Sequence, residues 1–383
     1  MPVLTEPKGG RKMKFSKIYE DLIRAIGKGK YKPFEFIPTE EALCADYSVS
    51  RTTAAAAINM LAEERIVKRV KGKGSFVLPS KNAVPEQKQT LLGVVVPAGA
   101  SYNHTQVIVD NLLMQSEVHG FKPIVSRPYS SENAAQIVRH LSTTITAFLV
   151  YPAFQSPDFD DTVKKLRDKG THIVMINFRL PGVETSYVVP DYEKAAYLAT
   201  EYLINKGRKK IAYLTEARRY PFFNVKATNE HLAGYRKALA DHRGKGGEII
   251  IEDAVRETDP PEFFSHNVYV SYLAARELFS ERNGISGLVT FNDMNAVGAL
   301  VALRELGIGV PDDVSVVGFG DDSELHAYFE REKHGPCTLT TVSAHREMVA
   351  LKAVDMISEM LAGEAEGTSR QVKIEPALIV RET

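Results

Sequence analysis

The sequence is poor in cysteine, with only Cys44 and Cys337 among 383 residues. The two are far apart and neither sits in a CxxC or Cys/His spacing, so a disulfide framework and a structural zinc site are excluded as organising devices. No apolar run approaches the roughly 20 residues that a membrane-spanning helix needs. The N-terminus also lacks the apolar core of a signal peptide, and the chain reads as a cytoplasmic protein with reduced thiols. Net charge is missing too, since 48 Lys and Arg balance 48 Asp and Glu. Equally absent are a phosphate-cradling glycine loop, a Gly-x-Ser-x-Gly nucleophile turn and any metal-ligand spacing. These absences speak against an enzyme, and no cofactor or metal is expected.

The neutral total conceals an uneven distribution. Residues 1–81 carry 16 Lys and Arg against 9 Asp and Glu, a net of +7, which leaves −7 for the rest. A basic head on an acidic body is the asymmetry of a chain with one end on a polyanion, although a solubilising terminal tail would look similar.

Within the head, Ile18, Leu22, Ile23 and Ile26 recur at helical spacing. Pro33 and Pro38 then interrupt the chain. Thr39 is placed to cap a helix over Glu40–Asp46, and Ser50 to cap a third helix that runs through four alanines to Leu61 and Ala62. Two strands are expected at Ile66–Val70 and Ser75–Leu78, with Lys71-Gly72-Lys73-Gly74 as the turn. Three helices and a hairpin describe a winged helix-turn-helix, whose third helix offers its first turn to base edges. Ser50, Arg51, Thr52 and Thr53 occupy that turn. Arg51 has the fork geometry for guanine, while Thr39, Lys68, Arg69, Lys71, Gly72 and Lys73 suit phosphates.

Pro79–Thr90 is polar and reads as a linker. Beyond it, apolar runs alternate with amphipathic helices: Leu91–Val96, Ala147–Val150, His172–Ile176, Lys210–Leu214, Glu248–Ile251, Gly287–Thr290 and Val314–Val317. Continuous apolar strands flanked by helices indicate parallel sheets covered on both faces. The length favours two such lobes. The domains are expected at 1–79 (head), 80–90 (linker) and 91–383 (body). One lobe takes about 91–206 and 345–373, the other about 207–344 and 374–383.

Ile37-Pro38-Thr39-Glu40-Glu41-Ala42-Leu43, Val49-Ser50-Arg51-Thr52-Thr53 and Gly72-Lys73-Gly74-Ser75-Phe76-Val77 resemble, in order and spacing, the DNA-binding head of the GntR family. Glu41 and Ala55 stand where that family commonly has Arg. The body resembles the effector domain of the LacI family, itself similar to periplasmic sugar-binding proteins. The resemblance runs from Leu92-Gly93-Val94-Val95-Val96-Pro97, through Phe291-Asn292-Asp293 and Val310-Pro311-Asp312-Asp313-Val314-Ser315-Val316-Val317-Gly318-Phe319, to Pro376-Ala377-Leu378-Ile379-Val380-Arg381-Glu382. Heads and bodies of these kinds occur together in regulators of the arabinose-repressor type.

The resemblance implies an α/β chain: an α+β winged helix-turn-helix followed by a two-lobed, periplasmic-binding-protein-like body with two parallel sheets flanked by helices. It implies a transcription regulator, a repressor by the habit of relatives, that binds a palindromic operator in double-stranded DNA as a homodimer. A small-molecule effector, a sugar or sugar derivative, would sit between the lobes, with no membrane partner. Candidate effector residues are Tyr102, Asn103, His104, Tyr151, Asp191, His231, Tyr272, Asn292 and Asp321. Tyr272 is taken as the stacking aromatic and Asn292 as an amide contact. His231 replaces a usual Arg, Gly320 replaces a usual Asp, and Asp321 is the carboxylate that stands in. A transport-type sugar-binding protein is the alternative, and the attached head argues against it.

Overall fold

The computed structural model describes residues 9–31, 35–64, 66–70, 74–78, 90–96, 102–151, 156–180, 182–215, 225–243, 249–252, 266–281, 284–322, 338–363 and 369–383. The chain folds as two compact units, one built from the residues up to Thr90 and the other from nearly all those beyond.

The first unit runs α1 (Gly9–Gly27), β1 (Phe36–Ile37), α2 (Glu40–Tyr47), α3 (Arg51–Glu63), β2 (Val67–Val70) and β3 (Gly74–Val77). Both expected caps form. Thr39 Oγ1 accepts from Ala42 N at 3.2 Å, and Ser50 Oγ accepts from Thr53 N at 3.3 Å. Each satisfies one of the backbone donors that a helix start leaves unpaired. Along α3, Ala54, Ala57, Ile58 and Leu61 are buried, the i, i+3, i+4, i+7 stripe of one helical face. They pack with Ile18, Leu22, Ile37, Leu43, Val67 and Val77 as one small core. The strands form an antiparallel sheet in the order β1-β3-β2, with Val67 opposite Val77. Gly74 has φ +114°, which any side chain would resist at the hairpin's return.

The second unit continues with β4 (Thr90–Val95), α4 (Tyr102–Val118), β5 (Phe121–Ser126), α5 (Ser131–Leu141), β6 (Ala147–Val150), α6 (Pro157–Asp168), β7 (His172–Ile176) and β8 (Ser186–Pro190). Then come α7 (Tyr192–Asn205), β9 (Ile211–Thr215), α8 (Val225–Arg243), β10 (Ile250–Glu252), α9 (His266–Ser280), β11 (Gly287–Thr290), α10 (Asp293–Glu305) and β12 (Ser315–Gly320). The last elements are β13 (Thr341–Ser343), α11 (Arg346–Leu361), β14 (Gln371–Ile374) and β15 (Ala377–Ile379).

They build two six-stranded sheets, ordered β14-β8-β7-β6-β4-β5 and β10-β9-β11-β12-β13-β15. The pairings from β10 through β9, β11 and β12 to β13, and from β14 through β8, β7 and β6 to β4, are parallel, whereas β15 pairs antiparallel with β13. Alternate residues of each strand face opposite sides. In the second sheet Ala212, Leu214, Leu288 and Val316 pack on α9 and α10. Their neighbours Ile211, Tyr213, Val289 and Val317 join Ala195, Leu203, Leu232 and Tyr235 of α7 and α8. In the first sheet Val94, Leu149, Val174 and Val188 pack with residues of α4 and α11. Phe148, Val150, Met175 and Val189 turn the other way, into the cluster that also holds the α7 and α8 residues, so one apolar core runs through both sheets. Chain continuity follows the same plan: after β13 in the second sheet the chain crosses to α11, which packs on β6, β7 and β8.

Candidate functional site

Two regions of the chain carry chemistry. In the head, the buried stripe of α3 leaves the opposite face to solvent. Arg51 and Thr52 are exposed, Thr53 is half-buried, and Asn59 is exposed. The Ser50 hydroxyl lies 2.8 Å from Thr52 Oγ1 and 2.9 Å from Thr53 Oγ1, so three hydroxyls cluster at the helix start. The Arg51 side chain is 85% exposed, and its Nε donates to Glu40 Oε2 at 3.0 Å. Arg69 of β2 donates to the other Glu40 oxygen and to Asn59 Oδ1. Glu40 therefore holds one guanidinium from α3 and one from the hairpin. The hydrogen bond from Arg51, more than any other neighbour, lowers the Glu40 carboxyl below the usual carboxylate range. Lys68 is partly buried, and desolvation lowers its amine. Thr39 and Ser50 act first as helix caps. Lys71, Gly72 and Lys73 lie outside the described residues.

In the body, parallel sheets present backbone groups and side chains at the carboxyl ends of their strands, where ligands of such folds bind. Tyr151 follows β6 and Asp191 follows β8, while Asn292 follows β11 and Asp321 follows β12. Asn292 caps α10 through Oδ1, which accepts from Asn295 N at 2.8 Å. Asp191 likewise caps α7, accepting from Lys194 N at 3.2 Å, with Lys373 Nζ 3.5 Å away. Tyr102, Asn103 and His104 begin α4, but their side chains lie outside those described.

Polar groups from both sheets converge on Tyr192, the first residue of α7. Its hydroxyl donates to the carbonyl of Asn177 at 3.1 Å. Burial raises its pKa, with further upward pushes from Tyr151 and Glu230 and opposition from Arg179 and Arg346. Arg179, just past β7, grips Glu230 of α8 with both ends of its fork, at 2.9 and 3.0 Å, and lies 4.6 Å from the Tyr187 ring. Such a two-pronged pair ties a loop of the first sheet to a helix of the second.

Three expectations are corrected here. Tyr272 does not stack in the cleft. Helix α10 starts at the carboxyl end of β11 and ends at Glu305, having run its 13 residues back toward the amino ends of the sheet. Tyr272 Oη donates to Glu305 Oε2 at 2.6 Å, so the ring is packed between α9 and α10 and its hydroxyl faces away from the ligand end. Asp321 does not offer an unpaired carboxylate, because Arg381 Nη2 donates to its Oδ1 at 2.6 Å. His231 does not replace a charged clamp. It is 1% exposed, between the rings of Tyr192, Tyr213, Phe291 and Phe319, and neither ring nitrogen has a partner. Desolvation pushes its pKa down to about 3, which keeps the imidazole neutral.

Sequence reasoning missed Arg179, Glu230, Tyr192 and Arg346. An arginine three residues past the end of an apolar strand was a usable signal for Arg179. Nothing local marked the other three. Also missed was Asp293, which is buried and accepts from the Thr341 hydroxyl at 2.6 Å and Asp322 N at 2.8 Å. Gly318 makes room for it, since a Cβ there would come within 2.2 Å of Asp293 Oδ1.

The fold is a helix-turn-helix head with a three-stranded sheet, followed in the chain by a body of two parallel sheets flanked by helices. Residues 14–77 match the family of bacterial regulatory proteins, gntR family, and residues 200–383 match the periplasmic binding protein-like domain. Over 382 residues the chain is 24% identical to the arabinose metabolism transcriptional repressor of Geobacillus stearothermophilus, covering 96% of each chain. The crystal structure of the transcription regulator CcpA of Lactococcus lactis superposes with a TM-score of 0.62 at 20% identity, over 77% of this chain and 99% of that one. The complex of the transcriptional regulator CelR with cellobiose gives the same TM-score and identity over 90% of this chain and 99% of that one. The chain thus carries a head similar to gntR-family regulators ahead of a body similar to periplasmic binding proteins.

Proposed function

We propose that this protein is a transcriptional repressor whose grip on an operator is set by a sugar or sugar derivative bound between the lobes of its body. The observation that carries this reading is the exposed first turn of α3: a capped helix start bearing Arg51, Thr52 and three clustered hydroxyls, beside a basic hairpin. Helix-start N–H groups and hydroxyls suit a phosphate, and the Arg51 fork suits the O6 and N7 of guanine. Arg69, Lys68 and the wing residues Lys71, Gly72 and Lys73 would fix the head on the backbone without reading sequence.

Two copies of the chain, each holding one half of a palindrome, would make operator affinity depend on the separation of their heads. A sugar that binds one arrangement of the lobes better than another shifts that separation. Tyr151, Asn292 and the groups around Tyr192 are the residues assigned to the sugar, with Tyr102, Asn103 and His104 at the start of α4. Support comes from the full-length likeness to an arabinose repressor and from the fold shared with a cellobiose-bound regulator. The attached head disfavours a transport role.

The test is an electrophoretic mobility shift on the DNA upstream of the protein's own gene, at low salt, repeated with a panel of sugars. A shifted band that one sugar abolishes is the expected result. No shift at low salt, where phosphate contacts are strongest, would overturn the reading.

A further inference from the structure

We infer that the second turn of α3 reads a thymine through its 5-methyl group, with Ala55 and Ala56 as the contact, one or two base pairs from the guanine assigned to Arg51. This rests on the DNA-binding reading above and adds a second base to it.

The side of α3 turned away from the core of the head carries Arg51, Thr52, Ala55, Ala56 and Asn59. At 3.6 residues per turn these positions fall within an arc of about 140°. Its two ends are fixed by one carboxylate. Glu40 accepts from Arg51 at the helix start, and also from Arg69, which donates in turn to Asn59 two turns further along. Ala55 and Ala56 lie between these anchored ends. Ala55 is half-buried and Ala56 is exposed.

The polar members of this face are already committed in part. The Thr52 hydroxyl is 2.8 Å from that of Ser50. Asn59 Oδ1 accepts from Arg69, so its amide offers donors alone, whereas the bidentate adenine contact needs the amide oxygen as well. Arg51 uses Nε on Glu40, and its two terminal nitrogens have no hydrogen bond among the described residues. They remain for O6 and N7 of one guanine.

The alanines offer neither donor nor acceptor. Each is one carbon long, which lets the helix backbone come close to the floor of the major groove. The methyl group that base edges present there is the 5-methyl of thymine. Against any other base, the alanine pair would cover donors and acceptors without replacing their water, which carries a cost. Arg51 and Ala55 are four residues apart, about 6 Å along the helix, and base pairs stack about 3.4 Å apart. The thymine therefore lies one or two base pairs from the guanine.

The experiment selects binding duplexes from a randomised DNA pool with the full chain at low salt. The expected consensus holds an invariant guanine with an invariant thymine, on either strand, within two base pairs of it. That thymine is then replaced by uracil in one half-site, which removes the methyl and keeps the hydrogen-bonding edge. Fluorescence anisotropy should show about fourfold weaker binding, the scale of one buried methyl group. The double variant Ala55→Gly, Ala56→Gly should bind the thymine and uracil duplexes equally. If it does not fold, Ala55→Ser, Ala56→Ser makes the same comparison, with a smaller ratio than the wild type. A consensus without that thymine, wild-type binding indifferent to uracil, or a folded variant that keeps the full wild-type ratio overturns the inference and leaves the DNA-binding reading standing. If no duplex is enriched, both fall.

Discussion

Glu40 and Arg51 are joined by a 3.0 Å hydrogen bond between the first residues of two successive helices. The same carboxylate also receives Arg69 from the hairpin. One acidic side chain thus fixes the relative placement of the two guanidiniums that face DNA in the proposed complex. An isolated exposed ion pair contributes little to stability, so the role of Glu40 is positional.

Replacing Arg51 tests the docking geometry. Arg51→Ala is expected to weaken operator binding by about 1–3 kcal/mol and to relax preference at one base pair, because a bidentate base contact is lost. Fluorescence anisotropy against a set of single-base operator variants measures both effects. The side chain is 85% exposed, so the head should melt as before. Unchanged affinity would rule out α3 as the reading helix.

Glu40 has an acid-side signature. Its carboxyl pKa is lowered in the folded head, so the unfolded chain takes up a proton more readily. The stabilisation from this group is complete above the unfolded pKa and is lost as pH falls through the folded one. Thermal melts of the wild type on the acid side of pH 5 should therefore decline more steeply than those of Glu40→Gln. Parallel slopes would mean that the pair does not persist in solution.

His231 shows the complementary case of a base held neutral by burial. Its pKa falls from 6.5 to about 3 on folding. Between those values the unfolded chain binds the extra proton, so stability rises with pH across that window, by at most about 1.4 kcal/mol per unit. His231→Phe keeps an aromatic ring among Tyr192, Phe291 and Phe319 and removes the proton. The variant should lose this part of the pH dependence and match or exceed the wild-type melting temperature near pH 5. A wild type whose stability is flat from pH 6.5 to 4 would contradict the buried placement.

Tyr272→Phe separates packing from recognition. The change deletes the hydroxyl bonded to Glu305 and keeps the ring in the α9–α10 interface. A cost of about 1 kcal/mol in denaturant melts is expected, with the response to the effector intact. Loss of the response with unchanged stability would return Tyr272 to the cleft.

The winged head was legible because its signals are local. Thr39 and Ser50 are capping residues, Ala54, Ala57, Ile58 and Leu61 repeat at helical period, and glycines mark the hairpin. The central strands were legible because doubly covered strands are continuous apolar runs: Ala147–Val150, His172–Ile176 and Gly287–Thr290 fall where the sequence places them. Strand β5 was missed because it lies at a sheet edge, where most of its residues keep partial contact with solvent and no apolar run forms. Tyr272 was misassigned because its helical register, and not its residue type, decides which way its ring points.

By itself the sequence determined the order of the two units, the capped and exposed start of α3 and the alternation of strand with helix, since each is encoded by residues within a turn or two of one another. Only the tertiary structure decided the charge state of the ligand end: that Arg381 neutralises Asp321, that aromatic rings bury His231, and that Arg346 reaches Gly320 from the far side of a sheet-to-helix crossover. Electrostatics acts through space and depends on burial, so residues 26 or 60 positions apart can set one site while leaving no mark on their neighbours in the chain.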